Sequence, residues 1–536
     1  MTLTQAPPGQ AGAEPPASAT PAPANVITAA DHKTVGRLYI ATSILFLLVA
    51  GVVGLLLRVE LAEEGVKVVG NDFGRLFSLH STVAPLLFLG PFWTGLATVI
   101  VPLQIGAPGL AFPRLQQTSY WLYLVGGGLV LFAYAVGTPH GAGLALSAPF
   151  SGRGNSATDL WIVGLLLVAV ASVLAAGVLL TTIAKLRAPG MTLLRAPLFT
   201  WSVFVTSAVV LVATPVFIAG LLLLYLDQHF GGTLFAAATK GSAELWQHML
   251  WLYGRPEVFL LALPGLGAAC DIVITAARGP LPGRGPVRLE ARVALALFGF
   301  LTLGAWAAEA PSRQAVVLPT TTWLTGLVIV PVGILALLWL GAARGIRRFH
   351  FPLLHVVSAL LLVGVAVINV AVAMAKDVDG GTAWATGHVH VAWFGAPLVL
   401  AIGAAHHWAP KLVGRRLSTG LGALELVLVL LGVLVMGLAS YLLGYDGAPW
   451  HVADLAGKSS WTNLERLAAV GGVLLTAGVL LFVLNLLTGG RGKAVEDNPV
   501  GGVTLEWTTA SPPAPWNFDQ IAPVRSETPL AEEVAT

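Results

Sequence analysis

Three histidines within apolar stretches are the residues of this sequence best suited to chemistry. His388 and His390 lie two positions apart, and His80 lies far upstream. Because an α-helix turns about 100° per residue, side chains two positions apart point to nearly opposite sides. Imidazole is an axial ligand of haem iron, and an ionisable side chain is costly to bury in a membrane segment, which indicates a function. One helix could therefore hold two different groups; the alternative is a pair of hydrogen-bonded histidines in a polar pocket.

The elements that position these histidines are membrane helices. Hydrophobic residues make up 56% of the 536-residue chain and charged residues only 10%, which is too few charges to cover a soluble surface of this size. Apolar runs long enough to cross a lipid bilayer predict an all-α polytopic membrane protein of twelve transmembrane helices. The predicted spans are 38–57, 79–103, 118–137, 158–184, 200–226, 244–276, 293–308, 321–342, 353–374, 384–408, 419–444 and 465–487.

Basic residues predict the orientation of the spans. Lys and Arg follow the even-numbered spans, at 185–195, 278–292, 344–348 and 411–416. Since these residues are retained on the cytoplasmic side of short loops, we expect both termini in the cytoplasm, in a bacterial cell membrane. The net charge of +3 reflects this bias and does not indicate nucleic-acid binding.

The chain divides into three regions by composition. Residues 1–30, rich in Pro, Ala and Gly, predict a disordered cytoplasmic lead without a signal-peptide core. Residues 31–490 form the predicted twelve-helix haem-binding membrane domain, and 491–536 a polar cytoplasmic tail. The single cysteine, Cys270, excludes an internal disulfide and a metal site with two thiolates.

The predicted topology brings three histidines to one depth of the membrane. Spans two and ten both start outside, so that His80, His388 and His390 lie in the outer third. We interpret His80 and His390 as two axial ligands that hold one haem iron, and His388 as facing a second group. The remaining histidines within or near spans are interpreted as structural hydrogen-bonding groups or left unassigned; they are His248, His355, His406 and His407.

Dispersed motifs in a fixed order add a family resemblance. They are 31–33, 57–62, 105–108 with 111–114, 246–248, Gly254-Arg255-Pro256-Glu257-Val258-Phe259, and Thr504-Leu505-Glu506-Trp507 followed by 511–513. Between about residue 30 and residue 525 the chain resembles subunit I of the haem-copper terminal oxidases, of the cytochrome c oxidase type. The resemblance implies two haems, whose type (a, b or o) the sequence does not decide: a low-spin haem held by His80 and His390 near Arg58, and a high-spin haem held by His388.

The chain departs from the family at the copper site. Arg255 stands where the family has a copper-binding histidine, and Phe259 where it has the cross-linked tyrosine. The run 305–310 replaces the family's adjacent histidine pair on span seven. A guanidinium has no lone pair to offer a metal, and a phenyl ring has no hydroxyl. We therefore predict that the binuclear copper is absent.

Charged residues at these positions need partners of their own. Because an unpaired buried charge costs several kcal/mol, we expect Glu309 to form a salt bridge with Arg255 across the two helices that copper normally joins. Glu257 matches the buried carboxylate of a proton channel whose entrance aspartate aligns with Gly109. The alternatives are a solvated Glu309 at a helix end, or a different metal held by Glu257, Glu309 and His248.

Three functions remain open at the level of sequence. The first is a membrane haem protein without copper, engaged in respiratory-type electron transfer or in the chemistry of a small gas at the iron held by His388. The second is an active terminal cytochrome c oxidase that reduces O2 to water. The third is a non-catalytic subunit of an oxidase-like complex. We expect a second subunit with an electron-input domain, and cytochrome c is the candidate donor.

Overall fold

The computed structural model describes most of the chain. The described residues are 28–62, 67–137, 139, 155–230, 233–235, 241–279, 289–305, 327–346, 349–378, 381–450, 459–491, 495–514, 516–518 and 521–533. At 243–244, 247–248, 251–252, 254–260, 303–305, 459 and 532–533 the description is limited to the backbone. Within these ranges the secondary structure is helical, apart from one isolated bridge between Thr382 and Pro449.

Long helices follow one another along the chain. They are α1 His32–Ala62, α2 Phe73–Val83, α3 Gly90–Gln104, α4 Pro113–Val136, α5 Ser156–Lys185, α6 Leu198–His229, α7 Ala243–Ala277, α8 Leu289–Ala305, α9 Ile329–Ala343, α10 Leu353–Ala375, α11 Ala383–His388, α12 Ala396–Val413, α13 Thr419–Tyr445, α14 Ser459–Thr488 and α15 Pro529–Glu533. A π-helical segment, Ala84–Leu89, joins α2 to α3, and a second, Val389–Gly395, joins α11 to α12.

The described part of the chain contains nine helices that are long and apolar enough to cross a membrane. They correspond to the predicted spans one to five and nine to twelve. The predicted spans six, seven and eight coincide with α7, α8 and α9, so the count of twelve stays a prediction. Outward-facing apolar side chains such as Leu337, Ile368 and Met374, exposed by 70%, 64% and 78%, suit contact with lipid.

Pairs of glycines bring neighbouring helices into close contact. A Cβ on Gly126 would lie 2.7 Å from the carbonyl of Gly164, and a Cβ on Gly164 would lie 2.8 Å from the carbonyl of Gly126, so α4 and α5 touch at their backbones. Gly36 and Gly95 make the same reciprocal contact between α1 and α3. Small residues at such crossings are typical of membrane helices, which gain van der Waals packing rather than hydrophobic burial.

The tail after α14 packs against one end of the bundle. The ammonium of Lys411 donates to the carbonyls of Thr509 at 2.6 Å and Asp497 at 3.0 Å. The Glu506 carboxylate accepts from Gln104 at 3.1 Å and from the Trp408 indole at 3.2 Å. Burial raises the pKa of the Glu506 carboxyl above its usual range. The predicted tail is therefore an ordered part of the protein in its described portion, and its location in the cytoplasm stays a prediction.

Candidate functional site

The structure brings His80 and His390 close together across the bundle, with nearly parallel ring planes. Their ring centroids lie 6.2 Å apart and their planes are inclined by only 13°. His80 is near the end of α2, just before the first π-helical segment, and His390 belongs to the second. π-Helical insertions occur often at functional sites because the extra residue redirects the side chains around it.

Backbone carbonyls orient both rings. Nδ1 of His80 lies 2.9 Å from the carbonyl oxygen of Ala50, and Nδ1 of His390 lies 2.8 Å from that of Thr386. Since a carbonyl can only accept, each Nδ1 carries the proton and donates it. In a neutral imidazole the lone pair then belongs to Nε2, the tautomer that metal-binding histidines adopt when a backbone carbonyl holds their other nitrogen.

The spacing between the rings has room for a metal ion. A ring centroid lies about 1.1 Å from Nε2 and an imidazole nitrogen about 2.0–2.1 Å from its metal, so two rings on opposite sides of one ion have centroids about 6.3 Å apart. The observed 6.2 Å agrees with this value and exceeds the contact distance of stacked rings. The two histidines can therefore serve as axial ligands of one iron.

Gly54 provides the space that the His80 ring occupies. A Cβ at position 54 would lie 2.7 Å from Cε1 and 3.0 Å from Nδ1 of His80, closer than real Cβ contacts come. Any larger residue on this face of α1 would displace the ring. A glycine is therefore part of what positions the histidine pair.

A buried ion pair lies beside the two histidines. Arg58, on α1, donates from Nη1 to Glu465 on α14 at 3.3 Å, and both residues are buried. The charge of Arg58 is close enough to act on both His80 and His390. The sequence points to Arg58 but not to Glu465, because nothing in it connects two residues 407 positions apart.

His388 has different neighbours from His390. The Trp384 ring is parallel to the His388 ring at a centroid distance of 5.0 Å, and Trp393 meets it edge-on at 5.6 Å. The Tyr441 hydroxyl lies 3.4 Å from His388 Nδ1. Two histidines in one short run thus contact different sets of residues, as their spacing predicts. The contacts of Trp384 and Tyr441 were not predicted from sequence.

The predicted residues of the altered copper site are described only in part. Arg255 and Glu257 lie on α7, whose backbone is helical there, while their side chains are outside the described residues. Glu309 is outside them altogether. The salt bridge between Arg255 and Glu309 therefore stays a prediction, as do the alternatives to it.

Known proteins resemble this chain over most of its length. Residues 34–474 match the family model described as cytochrome c and quinol oxidase polypeptide I. A protein named "Putative cytochrome c oxidase subunit 1-beta" from Streptomyces coelicolor is 38% identical over 520 residues, which cover 94% of this chain and 89% of that protein. Its namesake from Streptomyces avermitilis is 37% identical over 515 residues, which cover 94% of this chain and 91% of that protein.

A third relative is named without the suffix beta. The protein named cytochrome c oxidase subunit 1 from Corynebacterium efficiens is 34% identical over 521 residues, with 95% of this chain and 89% of that protein covered. Matches of this length and identity, together with the apolar helices, show an integral membrane protein. The chain belongs to the subunit I family of the haem-copper oxidases.

Proposed function

We propose that this protein is a membrane haem protein of respiratory-type electron transfer or small-gas chemistry, with one low-spin haem between His80 and His390 and one high-spin haem on His388. The observation that carries the proposal is the opposed pair of imidazoles, 6.2 Å apart, with each Nδ1 hydrogen-bonded to a backbone carbonyl.

The protein's part in this function is to orient and insulate the two irons. When bound, the haems supply the sites that store electrons and bind a gas. The carbonyls of Ala50 and Thr386 fix the tautomer of the low-spin ligands, and second-shell bonds of this kind raise ligand basicity. Trp384 and Tyr441 hold the ring of His388 from the side. The haem type stays open, because haems a, b and o differ in their ring substituents. Those substituents contact packed side chains and not the axial ligands.

The proposed absence of copper is supported by the residue types at the three ligand positions. Arg255 cannot bind a metal, because its guanidinium is always protonated in proteins. Phe259 lacks the hydroxyl that would supply a proton and an electron. Glu309 lies in the run 305–310, which replaces the family's adjacent pair of copper-binding histidines. Its carboxylate can offset the charge of Arg255 and so join spans six and seven. Ordinary proton-pumping oxygen reduction is therefore not proposed for this chain.

The second candidate is an active terminal oxidase. The names of the Streptomyces and Corynebacterium relatives favour it. It would need copper held in some other way, and a second subunit that passes electrons from a donor such as cytochrome c. A non-catalytic subunit of an oxidase-like complex is the reading that haem-free, folded protein would support. In each case we propose a bacterial cell membrane with both termini in the cytoplasm.

Metal and haem analysis of the purified full chain tests the proposal. We expect two haems and no copper per chain, and a reduced spectrum that shifts with carbon monoxide. His390→Ala should remove the low-spin signal, and His388→Ala the carbon monoxide response. The matched control His229→Ala, at a half-exposed histidine paired with Asp159, should change neither. Stoichiometric copper would contradict the proposed loss of the copper site, and an unchanged low-spin spectrum in His390→Ala would contradict the ligand assignment.

A further inference from the structure

Three buried side chains from three helices meet at the other end of the bundle from the histidine pair. His355 lies in the first turn of α10, His406 in the second half of α12, and Glu425 in the second turn of α13. His355 and Glu425 are fully buried and His406 is 8% exposed. One ligand atom from each lies within 4.8 Å of the other two. Two imidazole nitrogens and one carboxylate oxygen thus converge on a small volume.

Hydrogen bonding leaves His355 unsatisfied. Among the described residues neither of its ring nitrogens has a hydrogen-bond partner, although the side chain is fully buried. The carbonyl of Phe351, one turn earlier, lies near the ring but outside hydrogen-bond geometry. A neutral imidazole always has one donor and one acceptor to satisfy, and buried polar atoms without partners are rare in native proteins. The ring of His355 is therefore available to bind an ion or a water molecule.

The other two members contact each other directly, and neighbouring groups orient them. Nε2 of His406 lies 2.5 Å from Oε1 of Glu425. The second carboxylate oxygen lies 3.5 Å from the amide nitrogen of Asn485, whose side chain is fixed by two hydrogen bonds to the backbone of Ser418. Hydrogen bonds to the non-ligating atoms of a carboxylate orient it and tune its affinity for a metal.

Two glycines make room for the histidines. A Cβ on Gly422 would lie 2.7 Å from Cε1 of His406, and a Cβ on Gly403 would lie 2.7 Å from Cβ of His355. These glycines let the rings of His355 and His406 approach to a centroid distance of 5.4 Å. The cluster is therefore buried between helices and does not lie at a surface.

We propose that His355, His406 and Glu425 bind one divalent transition-metal ion, Zn²⁺ or Fe²⁺, that ties α10, α12 and α13 together. A set of two histidines and one carboxylate suits both ions. Tetrahedral ligands about 2.0–2.1 Å from an ion are about 3.3 Å apart from one another. The contact between His406 and Glu425 must then open by about 0.8 Å, and the most distant pair of ligand atoms must close by up to about 1.5 Å.

The proposed ion is separate from the haem ligands. His390 and His406 lie on one continuous stretch of helix, Ala383–Val413, and the 16 positions between them correspond to about 24 Å along the axis. The neighbouring histidines His350 and His407 contact each other at 2.8 Å. They form a hydrogen-bonded pair of their own, and the proposed ligand set does not include them.

The test measures zinc and iron in the full chain purified in detergent without chelators. Haem iron is measured separately from the pyridine haemochrome and subtracted. We expect one non-haem ion per chain in the wild-type protein, and a loss to background in His406→Ala and in Glu425→Gln. The matched control His350→Gln, which alters a neighbouring histidine, should keep the ion. The haem spectrum should be the same in all of these proteins, since the cluster lies far from His80 and His390.

A second measurement does not depend on the folding of variants. Wild-type protein stripped with a chelator is titrated with Zn²⁺, and its zinc absorption-edge spectrum is recorded. We expect one tight site with nitrogen and oxygen ligands about 2.0–2.2 Å from the metal. If the wild-type protein neither retains nor takes up an ion, the proposal is wrong, and buried water is the partner of these side chains. Zinc bound equally by the wild-type protein and by Glu425→Gln would overturn it in favour of an adventitious surface site.

Discussion

Replacing Gly54 by alanine should damage the low-spin site through one methyl group. The new Cβ would lie 2.7 Å from Cε1 of His80, whereas ordinary contacts begin at 3.4 Å, so the ring must move by at least about 0.7 Å. Metal–ligand distances tolerate deviations of about 0.2 Å. The ring cannot keep both its hydrogen bond to Ala50 and a bond to iron. We therefore expect Gly54→Ala to fold and to lose most of the low-spin haem signal.

Gly51→Ala is a matched control for this prediction. It makes the same substitution one turn earlier on α1, where an added Cβ meets nothing within 4 Å. Both variants gain the same helix propensity, about 1 kcal/mol relative to glycine in water, so the difference between them isolates the contact with His80. Haem per chain and the low-spin electron paramagnetic resonance signal are the assays. If Gly54→Ala matched Gly51→Ala in both assays, the assignment of His80 as an iron ligand would be refuted.

Two further predictions concern charge. Glu465→Ala leaves the buried charge of Arg58 without its partner, and we expect the free energy of unfolding, measured by thermal unfolding, to fall by about 3–5 kcal/mol. The control Asp72→Ala, at an exposed pair, should lower it by at most about 1 kcal/mol. Equal losses in the two variants would contradict a buried role for the Arg58 pair. Burial, and secondly the charge of Arg416, lowers the pKa of His350 to about 4. Because this pKa is lowered from 6.5, His350 is neutral in the folded protein at pH 7. The unfolded chain takes up the proton first as the pH falls, so the free energy of unfolding decreases from about pH 6.5 towards pH 4, by up to about 3 kcal/mol. His350→Gln should therefore show a smaller fall in melting temperature between pH 7.5 and pH 5 than the wild-type protein does, and an equal fall would be the contrary result.

The helical membrane fold follows from hydropathy, because a bilayer leaves few other ways to satisfy the backbone. The predicted depth of His80 and His390 also follows from a local rule, whereas their approach depends on the packing of the helices. The helical period and the distribution of basic residues predict the side and depth of each histidine before any contact is known. The number of spans depends on segments 244–276, 293–308 and 321–342, where hydropathy and the described helices agree on position but do not decide the count.

Other parts of the sites depend on contacts between distant helices. Glu465 reads as an ordinary charge near the start of a span, and only the packing of α14 against α1 brings it to Arg58. His355, His406 and Glu425 likewise come from three helices, and from the sequence alone the two histidines are expected to be separate hydrogen-bonding groups. The π-helical segments beside His80 and His390 have no periodic signal, since each adds a single residue to one turn.

Buried polar contacts between helices would help to hold the bundle together in the absence of copper. Arg58 and Glu465 join α1 to α14, Arg292 and Glu527 join α8 to the tail at 2.9 Å, and the proposed ion joins three more helices. Because these groups are buried, water competes little for them, and removing one partner leaves a buried charge or lone pair unpaired. Each contact therefore resists separation of its own helices independently of the others. The proposed loss of the copper ligands on α7 would then leave these contacts between the other helices in place.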